Sequence, residues 1–285
     1  MRVADPRVVL GLHRSRHQRR LLTGALDLGV TAIDTSTNYL GFLSHETLAR
    51  TAGDLLPSFT VSTKVGYFPS PGRAKHSLAP SRLRAAVEDA VRDLGREPDV
   101  VFLHNPEHSL RGDACRDREV LARACAALSD TTAKGLCGAW GIATWNPSPL
   151  LGLIDGTGPR PSVLMVRAGL LVGARTLDAA DRLSGIWDLD HEMIWGMSPF
   201  GGSTSDPLWE KVDPRIFLRD GEVLSHVQAA FRAAYLLPRV GAVAVGSDEP
   251  AHLGELIEAL ACAADERVIN EYRRLLRDRL HGQAS

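Results

Sequence analysis

Lysine is scarce in this sequence. Of 33 basic residues, only Lys64, Lys75, Lys134 and Lys211 are lysines. A bias of that kind follows from GC-rich coding, so a lysine kept inside a strand stands out. Cysteine is scarce too. Cys115, Cys125, Cys137 and Cys262 form no CxxC and no metal-type spacing, which predicts reduced, mostly buried thiols and no bound metal. Charge of one sign is missing: the net charge is -1 and the pI about 6.8, with no broad basic field for nucleic acid and no polybasic membrane patch. A small substrate is expected. No apolar run approaches the roughly 20 residues of a membrane span. The segment "MRVADPRVVLGL" lacks the charged, apolar and small-residue succession of a leader peptide, so a cytoplasmic protein is expected. No Pro/Ser-rich linker or low-complexity tract divides the chain, which reads as one domain over residues 1–285. A glycine-rich G-x-G-x-x-G turn is also missing after the first strand, where "GLHRSRHQ" stands, and this argues against a Rossmann fold.

What the sequence does contain is an alternation of short apolar runs with amphipathic segments rich in Leu, Ala and Arg. The runs are "RVVLGL", "TAIDT", "FTVSTKV", "DVVFLH", "GAWGIAT", "VLMVRAG", "MIWGMS" and "AVAVGS". Parallel strands joined by crossover helices read this way. About eight such pairs predict an α/β fold, a single (β/α)8 TIM barrel. In "SRLRAAVEDAVRDLG" the apolar residues Leu83, Val87, Ala90, Val91 and Leu94 recur at helical spacing, and "VLSHVQAAFRAAYLL" is a second such helix. Gly29 and Gly95 are placed to end helices.

In a β/α barrel, polar residues just after each apolar run converge on one mouth. Asp34 ends the second run with Tyr39 in the following loop, Lys64 ends the third and His104 the fourth. Their chemistry is complementary. Tyr39 is a proton donor whose pKa, about 10 when unperturbed, is expected to be lowered by the Lys64 ammonium. Asp34 would pair with Lys64, and a neutral His104 would hold the oxygen of a carbonyl substrate. Taken singly, each has a plainer reading as a cap, a loop aromatic or a core histidine. His45, His76 and His108, in helix or loop contexts, are read as solvated surface residues.

With these residues in place the sequence resembles the aldo-keto reductase superfamily, whose catalytic tetrad is Asp, Tyr, Lys and His in this chain order. The resemblance is carried by "GVTAIDTSTNYLGFLSHETL", "STKVG", "DLGREPDVVFLHNPE", "GAWGIATWNPSPL", "SPFGG" and "VGSDEPAHLGELIEAL". It implies a barrel that reduces aldehydes or ketones, or runs the reverse reaction, with NADP(H) or NAD(H). It also implies a cofactor site built from Thr144, Met165, Ser198, Phe200, Gly201, Gly246, Ser247 and Asp248, with Gly202 in the same loop.

Several positions depart from the family's usual residues. Where Ser-Asn, Gln and an aromatic hold the nicotinamide, this chain has Ala143-Thr144, Met165 and Met197. Asp248 and Glu249 stand where an arginine often takes the adenosine 2′-phosphate, and Leu256 stands near the usual Asn. Arg14, Trp145 and Arg167 follow strand ends and are candidates for substrate contact. Two other functions compete with the reductase. One is a cofactor-independent lyase, dehydratase or isomerase using Tyr39 and Lys64 for proton transfer, and the other is a non-catalytic binding protein of this fold.

Overall fold

The apolar runs form eight parallel strands: β1 (Val8–Gly11), β2 (Ala32–Asp34), β3 (Thr60–Val65), β4 (Val100–His104), β5 (Ala139–Thr144), β6 (Val163–Arg167), β7 (Ile194–Met197) and β8 (Ala242–Val245). Each pairs with the next, and β8 pairs back onto β1 through Val8 and Val243, closing the barrel. The computed structural model describes residues 8–282; most of the segment read for a leader peptide, and Arg7 of the first run, lie outside the described residues.

Alternation along the strands divides side chains between two layers. Val9, Ala32, Val100, Phe102, Ala143, Met165, Trp195, Ala242 and Ala244 fill the barrel interior. Leu10, Ile33, Val61, Val101, Leu103, Ile142, Leu164, Val166, Val243 and Val245 pack outward in the larger core. Two large rings plug the interior, Phe102 and Trp195, with centroids 5.7 Å apart. Gly141 makes room for them, since a Cβ there would lie 2.8 Å from the Phe102 ring. The inward positions of β2, β3 and β4 nearest the carboxyl-terminal mouth are polar, with Asp34, Lys64 and His104 at the ends and Ser62 one step below Lys64.

The described helices are α1 (Arg19–Asp27), α2 (Ser44–Ala52), α3 (Pro80–Leu94), α4 (Ala114–Ala133), α5 (Ala174–Ile186), α6 (His226–Ala234), α7 (Pro250–Glu258) and α8 (Glu266–Gly282). Gly95 ends α3 at φ 72°, and Gly29 follows α1 at φ 78°, both in the left-handed conformation expected of them. Ser225 and Gln228 close a reciprocal capping box at the start of α6. The strand–helix alternation fails once. The connection from β5 to β6 holds only a short 3-10 turn, Ser148–Leu150, because Pro147, Pro149, Pro159 and Pro161 with three intervening glycines deny it a helix. The last helix, α8, packs on α5 instead, and its Tyr272 donates to the Leu170 carbonyl, in the loop before α5, at 2.6 Å. Among the described residues no helix is long and apolar enough to cross a membrane, and no group of three or more His, Cys, Asp or Glu is placed to hold a metal.

Two sequence expectations need correction. All four cysteines are free, but only Cys125 and Cys137 are buried. Cys115 is exposed on the first turn of α4, and Cys262 is half-buried in a loop. His45 is not a surface residue: it lies 5% exposed on the inner face of α2, with its Nε2 2.7 Å from Thr63 Oγ1. The polar residues of α2 face the strands because the inner positions opposite β2 and β3 are themselves hydroxyls. Beside it, His17 Nε2 meets Ser44 Oγ at 2.6 Å, and Ser44 meets Thr35 Oγ1 at 2.5 Å.

Burial holds His17 and His45 neutral, with each pKa lowered to about 4. As pH falls through the ordinary 6.5, the unfolded chain takes up protons that the folded chain accepts only near 4. Stability is thus complete above about pH 6.5 and is lost toward pH 4. Urea unfolding at pH 7 and pH 4.5 measures this. His45→Gln is expected to reduce the acid-induced loss by roughly 1–3 kcal/mol, while a loss unchanged from wild type contradicts the assignment.

Candidate active site

Three adjacent strands build the centre of the mouth. Asp34, the last residue of β2, and Lys64 on β3 are 5% and 2% exposed. Such burial of two charges is tolerable only when both are fully satisfied. The Lys64 ammonium has three acceptors: Asp34 Oδ2 in a short ion pair, the Thr35 carbonyl at 2.9 Å and the Tyr39 hydroxyl at 3.4 Å. The other oxygen of Asp34 accepts from Ser62 Oγ at 2.8 Å. Burial opposes the charge on Lys64, but the carboxylate of Asp34, with Tyr39 and the hydrogen bonds, outweighs it and raises the pKa above the ordinary lysine value.

Tyr39 begins a tight turn in which Leu40, Gly41 and Phe42 are all left-handed, at φ 49°, 65° and 74°. Each non-glycine residue there costs about 1–2 kcal/mol. Its pKa corrects the sequence expectation. Desolvation of the phenol outweighs the neighbouring Lys64, and the net shift is upward from 10.0. His104 stands across from it, ring centroids 6.4 Å apart, with Nδ1 3.1 Å from Ser36 Oγ. Burial first, and then Lys64, push the His104 pKa well below 6.5, so the imidazole is neutral as expected.

A family model for the aldo/keto reductase family matches residues 13–180, more than half of the chain. The chain belongs to the aldo/keto reductase family. By family it is an oxidoreductase, which favours the reductase reading over the proton-transfer enzyme and the binding protein on the same fold. Solved structures share the fold across nearly all of the chain at low identity. A holo-form aldo-keto reductase from Bacillus halodurans superposes with TM-score 0.73 at 16% identity, covering 95% of this chain and 91% of that one. An aldo/keto reductase from Klebsiella pneumoniae, solved with NADP and acetate, gives 0.68 at 16%, covering 95% and 91%. Aldose reductase from Giardia lamblia gives 0.68 at 14%, covering 96% and 92%. No curated protein matches the chain at a significant level.

The remaining candidates are distributed unevenly around the mouth of this enzyme. Met165 does not reach it, being fully buried among Phe102, Ala143 and Trp195. Phe200 turns away, its ring packing near Trp209 and Phe231 of α6 at 6.4 and 6.3 Å. Thr144 is buried, and its Oγ1 has no hydrogen-bond partner. On the rim between β7 and β8, Ser198, Gly201 and Gly202 have φ of 56°, 70° and 118°, and Gly246 is exposed. Ser247 spends its hydroxyl on its own turn, accepting from Glu249 N at 3.1 Å and donating to Glu249 O at 2.8 Å. Asp248 is exposed. Glu249 is engaged by Arg20 of α1 at 2.5 and 3.2 Å. Arg14 is exposed and donates to the Gly202 carbonyl at 3.2 Å, spanning from the loop after β1 to the loop after β7. Trp145 is 43% exposed on the rim, where its ring lies 5.0 Å from the Arg167 guanidinium.

Sequence reasoning missed the residues that support Asp34, Tyr39, Lys64 and His104. Ser62 lies two residues before Lys64, on the same face of β3, and that parity was the available signal. Tyr67 packs its ring 4.9 Å from His104 and 4.8 Å from His76. His76 is half-buried rather than solvated, its Nε2 2.7 Å from the His104 carbonyl, because a short hairpin, Tyr67–Phe68 with Lys75–His76, folds it back over β4. His108 is exposed as expected, with Nδ1 bonded to the Tyr67 hydroxyl.

The Asp34–Lys64 pair is open to a double-mutant test. Lys64→Met leaves Asp34 charged and unpaired, an expected cost of about 3–5 kcal/mol. In denaturant unfolding, Asp34→Asn/Lys64→Met should recover at least ~1 kcal/mol of that loss. A double variant no more stable than Lys64→Met counts against the coupling.

Proposed function

We propose that this oxidoreductase interconverts small-molecule aldehydes or ketones and their alcohols, with Tyr39 as proton donor and NADP(H) or NAD(H) as cofactor. The observation that carries the reading is the Lys64 ammonium, shared between Asp34, Thr35 and the Tyr39 hydroxyl at the same mouth as a neutral His104.

The residues present fit a dinucleotide. Thr144 Oγ1 is an unspent buried hydrogen-bonding group at the end of β5, where the resemblance puts the carboxamide. The β7–β8 rim carries Gly201, Gly202 and Gly246, whose bare backbone admits a diphosphate close to its amides. Thr144, Ser198, Gly201, Gly246, Ser247 through its backbone, and Asp248 are the residues that would hold it. Once bound, the nicotinamide supplies or accepts the hydride. Support also comes from the Klebsiella pneumoniae relative, solved with NADP.

The side chains of the chain itself handle the proton. A half-buried phenol with a raised pKa stays protonated at neutral pH and is a donor, as reduction requires. Lys64 opposes that rise and stabilises the phenolate left behind, while Asp34 keeps the ammonium oriented. Ser36 Oγ donates to Asn38 Oδ1 at 2.6 Å and lies 3.1 Å from His104 Nδ1, which holds the imidazole in place beside Tyr39. Tyr39 and His104 then meet one oxygen from two sides.

Tyr39→Phe removes only the hydroxyl, so it is expected to keep the fold and to lower kcat by about 10²-fold or more. Steady-state reduction of 4-nitrobenzaldehyde, with circular dichroism as the folding control, measures it. Turnover at the wild-type rate removes Tyr39 from the mechanism.

Cofactor choice follows from Glu249. Its carboxylate occupies the Arg20 guanidinium and, with Asp248, sets negative charge beside the β8 end. NADPH is therefore expected to bind less than about tenfold tighter than NADH, under ~1.4 kcal/mol. Glu249→Gln frees Arg20 and should shift the ratio of dissociation constants toward NADPH by roughly threefold or more. Fluorescence titration at fixed ionic strength reads both constants; a hundredfold wild-type preference for NADPH, or an unmoved ratio in the variant, contradicts this account.

A further inference from the structure

Most arginines placed near an acid in this protein are paired with it, as Arg19 is with Asp54, Arg84 with Asp130 and Arg277 with Asp178. Arg167 is different. It is the last residue of β6 and shares the inward parity of Met165, so it stands on the mouth side of the barrel. In the closed strand order β6 is four strands from β2 in either direction, which sets Arg167 across the mouth from Asp34.

Its guanidinium is half-buried, and Nε is fully buried with no hydrogen-bond partner. Among the described residues no carboxylate lies within 4 Å of it. The carboxylate on the same rim, Glu107, accepts from the Trp145 and Asn146 amides through Oε1, at 2.8 and 2.9 Å, while its Oε2 is buried without a hydrogen-bond partner and more than 4 Å from the Arg167 nitrogens. What holds Arg167 is the Trp145 ring, 5.0 Å away, which restrains the planar fork without neutralising it. Burial without a partner charge lowers the Arg167 pKa, the mark of an uncompensated cation. A cation left in that condition is poised for an anion, and a guanidinium matches a carboxylate through two parallel hydrogen bonds.

We propose that Arg167 is the specificity-determining residue of this site and that the substrate is a carbonyl compound carrying a carboxylate, bound by the Arg167 guanidinium across the mouth from Tyr39 and His104. The assignment rests on the carbonyl reading of the site. It places the reacting carbonyl near β2 and β4 and the anionic end on β6, and it leaves the β7–β8 rim to the cofactor. Trp145 then covers the bound carboxylate from solvent and strengthens its pairing.

Two probes test this: 4-formylbenzoate, which is rigid, and 5-oxopentanoate, which is flexible, each against its uncharged methyl ester. Calorimetric titration of the wild type and of Arg167→Gln and Arg167→Lys measures affinity without turnover, and kcat/KM with NADPH is measured alongside. The wild type is expected to bind at least one acid about tenfold or more tighter than its ester. Arg167→Gln should abolish that ratio, and Arg167→Lys should keep part of it. Equal affinity for acid and ester in both pairs overturns the proposal, as does a preference that survives Arg167→Gln. Weakened NADPH binding in Arg167→Gln with the acid-to-ester ratio unchanged also overturns it, by giving the guanidinium to the cofactor. The carbonyl reading fails separately. Tight, Arg167-dependent binding of the acids with no reduction of acid or ester upholds the anion site and removes the reductase chemistry; reduction of esters and acids alike does the reverse.

Discussion

A lysine ammonium enclosed at the mouth of a β-barrel must have its charge and all three protons satisfied, or the barrel cannot close around it. Lys64 meets this condition through Asp34, the Thr35 carbonyl and the Tyr39 hydroxyl. The condition reaches outward from there. Asp34 is useful only if β2 and β3 are paired in the register that sets it opposite Ser62, which in turn satisfies its second oxygen. Tyr39 reaches the ammonium only through the left-handed turn of Leu40, Gly41 and Phe42. Removing the charge would loosen a carboxylate, a phenol and the positions of two strands together.

The lower interior of the barrel sets the surroundings of the polar upper layer. Phe102, Trp195 and Met165 fill it, so water reaches the polar groups from one side only. That one-sided enclosure raises the phenol pKa of Tyr39 and keeps the imidazole of His104 neutral. The same burial removes Met165 from the rim, and Thr144 beside it keeps a buried hydroxyl without a partner. Charge on the rim is partitioned in the same way. Arg20 is spent on Glu249, Arg14 donates to the Gly202 carbonyl, and Arg167 has no acid partner among the described residues and keeps a buried Nε without a hydrogen bond.

Burial and direction account for the places where residue type misled. His45 looked solvated in a helix that also carries Glu46 and Arg50, but its helical face meets the hydroxyls of β3, and Thr63 satisfies it. Phe200 belongs to the motif that suggests a cofactor loop, yet α6 presents Phe231 to it, and an aromatic contact decided its direction. Tyr39 was expected to titrate low because a lysine adjoins it. Desolvation of the phenol is the larger effect, and it depends on how much protein surrounds the ring.

By itself the sequence determined the order and period of the strands, the glycines that end α1 and α3, and which four polar residues, Asp34, Tyr39, Lys64 and His104, would meet at the mouth. These properties are local: alternation, apolar spacing, backbone tolerance, and a polar residue at each strand end. Its pattern reads as about eight strand–helix pairs, and the missing helix between β5 and β6, where prolines and glycines crowd, is an exception the structure supplied. Only the tertiary structure decided which polar groups would be neutral, which charges would be paired, and which side chains would face the mouth. Burial and pairing depend on residues distant in sequence, as Arg20 and Glu249 are, and no local pattern encodes how much water a side chain loses when a barrel closes.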